Sequence, residues 1–271
     1  MDKINVIKVG GAVVENEASL KELINQFATM PGYKVLVHGG GRSATRIAAQ
    51  LGIESRMVGG RRITDEDMLQ VVTMVYGGLV NKRIVAALQA KGVNAIGLTG
   101  ADMDIIRSHK REPKMVTVDD GTQEMVDFGF VGDVDHANGQ RLASLVKAKD
   151  GIEAAVPVVA PLTHDGMGNI LNTNADTMAA TVAKALTEEF DVTLTYCFEK
   201  PGVMADAEDD DSVIPSINTE SYARLKADGI VSGGMIPKLD NAFDSISSGV
   251  KRVVITHFMD IQASMGTVIE K

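Results

Sequence analysis

The chain has 271 residues, enough for one large α/β domain or two small ones. At 45% hydrophobic and 23% charged residues it is a packed globular protein and not a disordered one. Its 27 basic and 36 acidic residues give a formal net charge of −9, and aromatics are only 4% with no Trp; together these argue against nucleic acid or an anionic membrane as partner. An anionic small molecule in a local basic pocket stays open. The single cysteine, Cys197, can form no internal disulfide, which suits a reducing, cytoplasmic setting. No apolar run reaches the roughly 18 residues of a membrane span. The N-terminus has charges inside a short apolar stretch and reads as a first strand, not a signal peptide.

Short apolar strands alternate with amphipathic helices, which predicts a largely parallel sheet covered on both faces. Strands are expected over Ile4–Val9, Lys34–His38, Asn94–Leu98, Ala155–Ala160, Val192–Phe198 and Arg252–Ile255. The near-continuous apolar character of Ala155–Ala160 predicts a central position. Helices are expected over Ala18–Met30, Arg42–Leu51, Asn138–Lys147, Asn174–Thr187, Asn218–Ala227 and Pro237–Ser248. Gly229 should stop the helix before it, and Pro237 suits a first helical turn. Thr64, with Asp67 three residues on, predicts the cap of a long helical stretch toward Lys91, broken or kinked at Gly77-Gly78. Residues 103–135, interrupted by Pro113 and the turn Asp119-Asp120-Gly121, read as β-hairpins laid on the core. With no linker in view, two lobes sharing one sheet are expected.

Several segments could carry chemistry. Lys8 shares a strand face with Ile4 and Val6 and precedes Gly10-Gly11. It is either an anion-binding lysine beyond a strand end or a snorkelling surface lysine. His38-Gly39-Gly40-Gly41 runs from a strand into a helix and suits an anion at that helix N-terminus, or simply a tight turn. Gly39-x-Gly41-x-x-Ala44 also fits a loose dinucleotide fingerprint, which would make the chain an oxidoreductase but leaves the other segments unexplained. In Asn172-Thr173-Asn174-Ala175-Asp176 one polar side chain would cap the helix, and Asp176 is free to pair with lysines. Lys238 lies early in a helix, where the dipole disfavours a cation unless an anion sits nearby. Arg62 suits a bidentate carboxylate contact.

Other matches carry less. Asp127-Phe128-Gly129 copies a protein-kinase triplet without its partner motifs. No Gly-Lys dipeptide supports a Walker-type loop, Cys197 reads as inert core, and Asp206–Asp211 reads as a solvated loop and not a calcium site.

Seven segments in order resemble the amino acid kinase family, and within it the kinases of N-acylated glutamate in arginine biosynthesis. They are Lys8-x-Gly10-Gly11, His38-Gly39-Gly40-Gly41, Gly60-Arg61-Arg62-Ile63-Thr64, Gly97-Leu98-Thr99-Gly100-x-Asp102, Gly129–Val134, Asn172–Asp176 and Gly233-Gly234-Met235-x-x-Lys238. The resemblance spans nearly the whole chain. It implies an α/β fold, a three-layer αβα sandwich with a mostly parallel central sheet and added β-hairpins. One domain, 1–271, would divide into an amino acid and dimer lobe to about residue 175 and a nucleotide lobe over 176–271. The implied reaction moves the γ-phosphoryl of ATP to the side-chain carboxylate of an N-acyl-L-glutamate, N-acetyl-L-glutamate first. N-succinyl-L-glutamate and the other substrates of the superfamily are the alternatives; a non-catalytic module would not need both lysines.

By position the resemblance implies that Lys8 and Lys238 act on the transferring phosphoryl group and Asp176 orients them. Gly11, Gly40, Gly41, Arg62 and Asn172 would hold the substrate, with Arg62 on its α-carboxylate. The nucleotide would lie along Glu199, Lys200, Pro201, Gly202, Val203 and Met204 and along Ile230, Val231 and Ser232. Mg²⁺ would ride on the ATP phosphates, with no metal site on the protein. A homodimer is implied, and the early first strand implies little arginine feedback. The chain departs from the family at Met103, where Gly is usual, at Glu199 and Lys200, where Asp and an apolar residue are usual, and at Leu171, often aromatic.

Overall fold

A computed structural model describes residues 1–117, 121–148, 151, 153–206, 208–262 and 265–271. Eight strands share one sheet: β1 (Lys3–Val9), β2 (Tyr33–His38), β3 (Ala95–Leu98), β4 (Val156–Val159), β5 (Asp191–Phe198), β6 (Ser216–Ile217), β7 (Arg252–His257) and β8 (Thr267–Ile269). Their order is β6-β8-β7-β5-β1-β2-β4-β3. Every neighbouring pair is parallel except β7–β8. β4 has neighbours on both sides but lies one strand from the edge, so its apolar run reflects two covered faces and not a central position.

The period of two divides β1 between two cores. Ile7 and Val9 face a layer made by α1 (Gly11–Glu15), α2 (Glu17–Thr29), α3 (Gly41–Gln50), α4 (Glu66–Val72) and α5 (Asn81–Gln89). Ile4 and Val6 face α6 (Gly139–Val146), α7 (Ala175–Ala185), α8 (Thr219–Ala227) and α9 (Met235–Ser247). The sheet runs unbroken through both halves of the chain, giving the three-layer sandwich. Lys34 is buried at the end of α2, where its ammonium donates to the carbonyls of Phe27, Ala28 and Met30 at 2.7–3.0 Å. A cation suits the carbonyl-rich C-terminal end of a helix.

The long helical stretch departs from expectation in three ways. Asp65, not Thr64, is its cap: the Asp65 carboxylate accepts from the Met68 amide at 2.8 Å. Thr64 is occupied elsewhere, exchanging backbone hydrogen bonds with Phe128 and Phe130. At Gly77-Gly78 the helical stretch does not break; Thr73–Val80 widens into a π-helix that keeps Val75, Tyr76 and Val80 buried. By length and hydropathy Glu66–Gln89 would suffice to cross a membrane, which no run was expected to do. Its apolar face, from Met68 to Leu88, is packed into the core beneath the sheet.

The added strands match the hairpin expectation. Lys114–Thr117 pairs with Gln123–Val126, and Ile106–Lys110 pairs antiparallel with Gly132–Ala137. Of the expected turn between them, Asp119 and Asp120 lie outside the described residues. Sequence reading missed the hairpin Leu162–His164 with Ile170–Asn172, whose strands are only three residues each. It places Asn172 in the edge strand of a second, four-stranded sheet.

Candidate active site

Lys8 sits one residue before the end of β1, on the face toward α7. Its ammonium is 2.6 Å from one Asp176 oxygen, and the Lys238 ammonium is 3.3 Å from the other. The three residues come from β1 and the first turns of α7 and α9. Burial pushes the Asp176 carboxyl up, but Lys8 and then Lys238 outweigh it and hold it below the usual carboxylate range. Two ammonium groups on one carboxylate leave one positive charge in excess. That surplus, at a strand end and two helix N-termini, is a place for an anion. Asn174 is the cap of α7: its side-chain oxygen accepts from the amides of Asp176 and Thr177 at 2.8 and 3.2 Å. Asp176 is thereby left free for the lysines. Pro237 is the third residue of α9 and not its first, a position whose missing N–H still costs no helical hydrogen bond.

The two glycine turns pack backbone against backbone. A Cβ on Gly39 would lie 3.2 Å from the Gly11 amide nitrogen, and one on Gly40 would lie 2.8 Å from the Tyr76 ring. Only glycines allow this approach between the β1–α1 and β2–α3 turns. His38 locks the second turn. It is fully buried, accepts from the Asn81 amide at 3.1 Å through Nε2 and donates from Nδ1 to the Gly39 carbonyl at 2.9 Å. Burial lowers its pKa to about 4, against a smaller opposing pull from the Gly39 carbonyl, so the imidazole is neutral.

Beside these turns lies a cleft of about 200 Å³ lined by Gly40, Gly41, Arg62, Tyr76, Asn172 and Ala175, among others. Arg62 projects from a small hairpin, Met57–Val58 with Arg61–Arg62, and is 9% exposed. Its Nη2 donates to the Gly41 carbonyl and the Thr45 hydroxyl, both at 2.9 Å, and its Nη1 donates to the Ser55 hydroxyl. Asn172 donates to the Thr64 hydroxyl at 2.9 Å. The expected substrate residues Gly40, Gly41, Arg62 and Asn172 thus meet at one cleft. Gly11 abuts it through the Gly40 and Gly41 amides. Burial pushes the phenol of Tyr76 up while Arg62 beside it pulls the other way.

The nine expected nucleotide residues do not line this cleft. Glu199–Met204 leaves the end of β5, and Ile230–Ser232 precedes Gly233-Gly234 and α9, which carries Lys238. Glu199, Lys200, Ile230 and Ser232 are exposed, and Pro201 and Met204 half-buried. Gly202 and Val203 are taken up in packing. A Cβ on Gly202 would lie 2.8 Å from Thr267, and the Val203 amide donates to the Thr267 hydroxyl at 2.8 Å. The Val231 side chain lies in the core.

Sequence reading missed Tyr76, Thr64 and Arg111 as parts of the cleft and its supports. Tyr76 could have been suspected from a polar-tipped aromatic beside two glycines; Arg111, at the end of a hairpin strand, carried no local signal. Cys197 is core, with burial pushing its thiol up against a smaller pull from Lys8. Asp127-Phe128-Gly129 is a turn: the Gly129 amide donates to Asp127 at 2.8 Å, and Gly129, at φ 68°, bridges to Thr64. Met103, at a position where the resemblance implied glycine, takes φ 54°.

Similar proteins bear on this arrangement. A Bacteroides thetaiotaomicron protein named acetylglutamate kinase is 60% identical over 270 residues, covering 100% of this chain and 99% of that one. The crystal structure of smu.665 from Streptococcus mutans superposes with a TM-score of 0.78 at 25% identity, covering 98% of each chain. Giardia carbamate kinase shares the fold at a TM-score of 0.68 and 15% identity, covering 100% of this chain and 99% of that one. The model of the amino acid kinase family matches residues 3–257, and the chain belongs to that family.

Proposed function

We propose that the chain is a phosphotransferase that moves the γ-phosphoryl of ATP to the side-chain carboxylate of N-acetyl-L-glutamate, a step of arginine biosynthesis. The observation that carries the reading is Asp176 held between Lys8 and Lys238 beside the Arg62 cleft. Relatives at 57–60% identity over at least 98% of the chain bear the name acetylglutamate kinase. A side-chain carboxylate oxygen attacks phosphorus, the bond to the ADP oxygen breaks, and an acyl phosphate and ADP result. The nucleophile is already ionised at neutral pH, so no general base is required and catalysis rests on position and charge.

Arg62 and Asn172 hold the amino acid, and the turn amides at Gly11 and Gly40 face the transferring group. Lys8 and Lys238 neutralise the charge that develops on its oxygens, each steadied by Asp176. Both Asp176 oxygens are engaged by ammonium groups, and no group of three or more His, Cys, Asp or Glu among the described residues could hold a metal. Lys8 and Lys238 would lie beside nucleotide phosphates carrying Mg²⁺, which would supply further neutralisation. Glu199–Met204 and Ile230–Ser232 are assigned to the nucleotide through exposed side chains and backbone. The first 175 residues form the amino acid side and 176–271 the nucleotide side. Met74 and Leu79, half exposed on the outer face of the π-helical stretch, are the surface assigned to a homodimer. The enzyme is placed in the cytoplasm.

The test is an acyl-phosphate trap. The protein is incubated with MgATP, hydroxylamine and, separately, N-acetyl-L-glutamate, N-succinyl-L-glutamate, glutamate and aspartate. Hydroxamate from N-acetyl-L-glutamate is the expected result. A folded, ATP-binding protein that yields none from any of the four would refute the reading.

A further inference from the structure

The cleft is lined by three arginines, and the reaction above uses one. Arg62 spends Nη1 and Nη2 on protein acceptors: Gly41, Thr45 and Ser55. Arg111 differs. Its Nε donates to Asp133 at 3.0 Å, and its Nη2 is paired with the same carboxylate. Its guanidinium lies 5.4 Å from the centre of the Phe128 ring. The remaining nitrogen, Nη1, is buried with no hydrogen-bond partner, in a residue that is 7% exposed and lines the cleft. A buried donor left unpaired is costly, more so in a charged group, and an anion in the cleft would remove that cost.

The surroundings suit an anion. Arg61 lines the same cleft; burial lowers its pKa, Arg111 lowers it further, and only Asp133 opposes them. Lys114 is lowered by burial and then by Arg111 and Arg61. Asp133, the carboxylate facing all three, is held below its usual range by its hydrogen bonds to Arg111. Three cations against one carboxylate leave this wall positive.

We propose that Arg111 is a second carboxylate-binding residue of the cleft, with its free Nη1 as the donor. The proposal rests on reading the cleft as the amino acid site. A planar guanidinium with an open N–H matches a carboxylate better than an ammonium does. Two carboxylates fit: the α-carboxylate of the glutamate, shared with Arg62, or a carboxylate at the far end of the N-acyl group.

Initial rates and calorimetric binding separate these sources. Wild type, Arg111→Gln and Arg111→Lys are compared with N-acetyl-L-glutamate and with N-succinyl-L-glutamate, with the KM for ATP and the melting temperature recorded for each. Arg111→Gln is expected to raise KM and Kd at least about tenfold for one or both substrates while the KM for ATP holds. Arg111→Lys keeps the charge without the fork and should recover part of the loss. A loss with both substrates identifies the α-carboxylate; a loss with the succinyl compound alone identifies the acyl end. Unchanged KM and Kd for both substrates would overturn the proposal. So would an equal loss toward ATP with a large fall in melting temperature, which marks a structural role only. A wild type inactive on both substrates sinks the proposed function itself, whereas failure of this inference appears only in the variants.

Discussion

The side proposed for the amino acid and the side proposed for the nucleotide are built differently. The cleft around Arg62 and its supports are built from buried polar residues: Arg62, Asn172, Thr64 and His38 are all buried, and each is bonded to another part of the site or its supports. The segments given to the nucleotide, Glu199–Met204 and Ile230–Ser232, put their exposed side chains in solvent and bury Gly202, Val203 and Val231 for packing. Fixed donors at fixed distances would discriminate a small carboxylate-bearing substrate, and the proposed amino acid side has the preorganisation for it. A nucleotide held largely by backbone and by a phosphate-facing lysine needs less side-chain identity. Lys8, Asp176 and Lys238 join the two sides, since Lys238 follows the nucleotide loop and Lys8 precedes the first glycine turn.

This contrast can be broken at the junction or sharpened at either side. The largest effect belongs to the junction. Lys8→Ala and Lys238→Ala should each lower kcat by on the order of 100-fold or more, with the KM for the amino acid nearly unchanged, because their contacts strengthen in the transition state. Steady-state kinetics decides it, and near-normal kcat in both variants would remove the lysines from the mechanism. Next, Arg62→Ala should raise the KM for the amino acid by about tenfold or more, the scale of a lost charged hydrogen bond, and should move kcat less. An unchanged KM would shift the clamp to another residue.

The third effect is one of stability with pH. His38 titrates at about 4 in the folded protein against an ordinary 6.5. Between those values the unfolded chain binds a proton that the folded chain does not. Stability therefore falls as the pH drops through this window, by about 3 kcal/mol in all. Urea unfolding at pH 7 and pH 4.5 measures it, and His38→Gln should flatten that part of the curve. An equal slope in the variant would show that His38 does not drive it. The smallest effect lies away from both sides. Met103 at φ 54° is followed by Asp104 at φ 53°, a left-handed pair that costs L residues about 1–2 kcal/mol each. The loop is held by Arg141, which donates to the Met103 carbonyl at 2.6 Å, and by Asp104 bonded to Arg107 and His164. Met103→Gly should stabilise the fold by less than about 1 kcal/mol, since glycine's backbone entropy offsets most of the gain. A destabilised variant in urea would mean that the Met103 side chain does more than tolerate the turn.

What was legible in the sequence follows the same division. Strand and helix periods gave the sandwich, because each element buries one face and the apolar spacing records it. A lysine on an apolar strand face and another in a first helical turn drew notice because each is costly without an anion, but only the resemblance chose an anion site over a solvated lysine. The hairpin that carries Asn172 was not legible, since three-residue strands leave no period to read. The cap at Asp65 was misplaced by one residue because Thr64 is spent on a contact with Phe128 and Phe130, far along the chain. Arg111 was invisible for the same reason: its place in the cleft depends on Asp133 and Phe128, which meet it only on folding.

In the proposed mechanism Lys8 and Lys238 stabilise the transferring phosphoryl group more than they bind either substrate. The most direct measurement is the affinity of wild type and both alanine variants for MgADP with tetrafluoroaluminate, a mimic of the phosphoryl group in flight, in the presence of N-acetyl-L-glutamate. Each variant is expected to lose about 100-fold or more in affinity for this mimic while its affinity for N-acetyl-L-glutamate stays within about threefold. Equal affinity for the mimic in wild type and variants would contradict it.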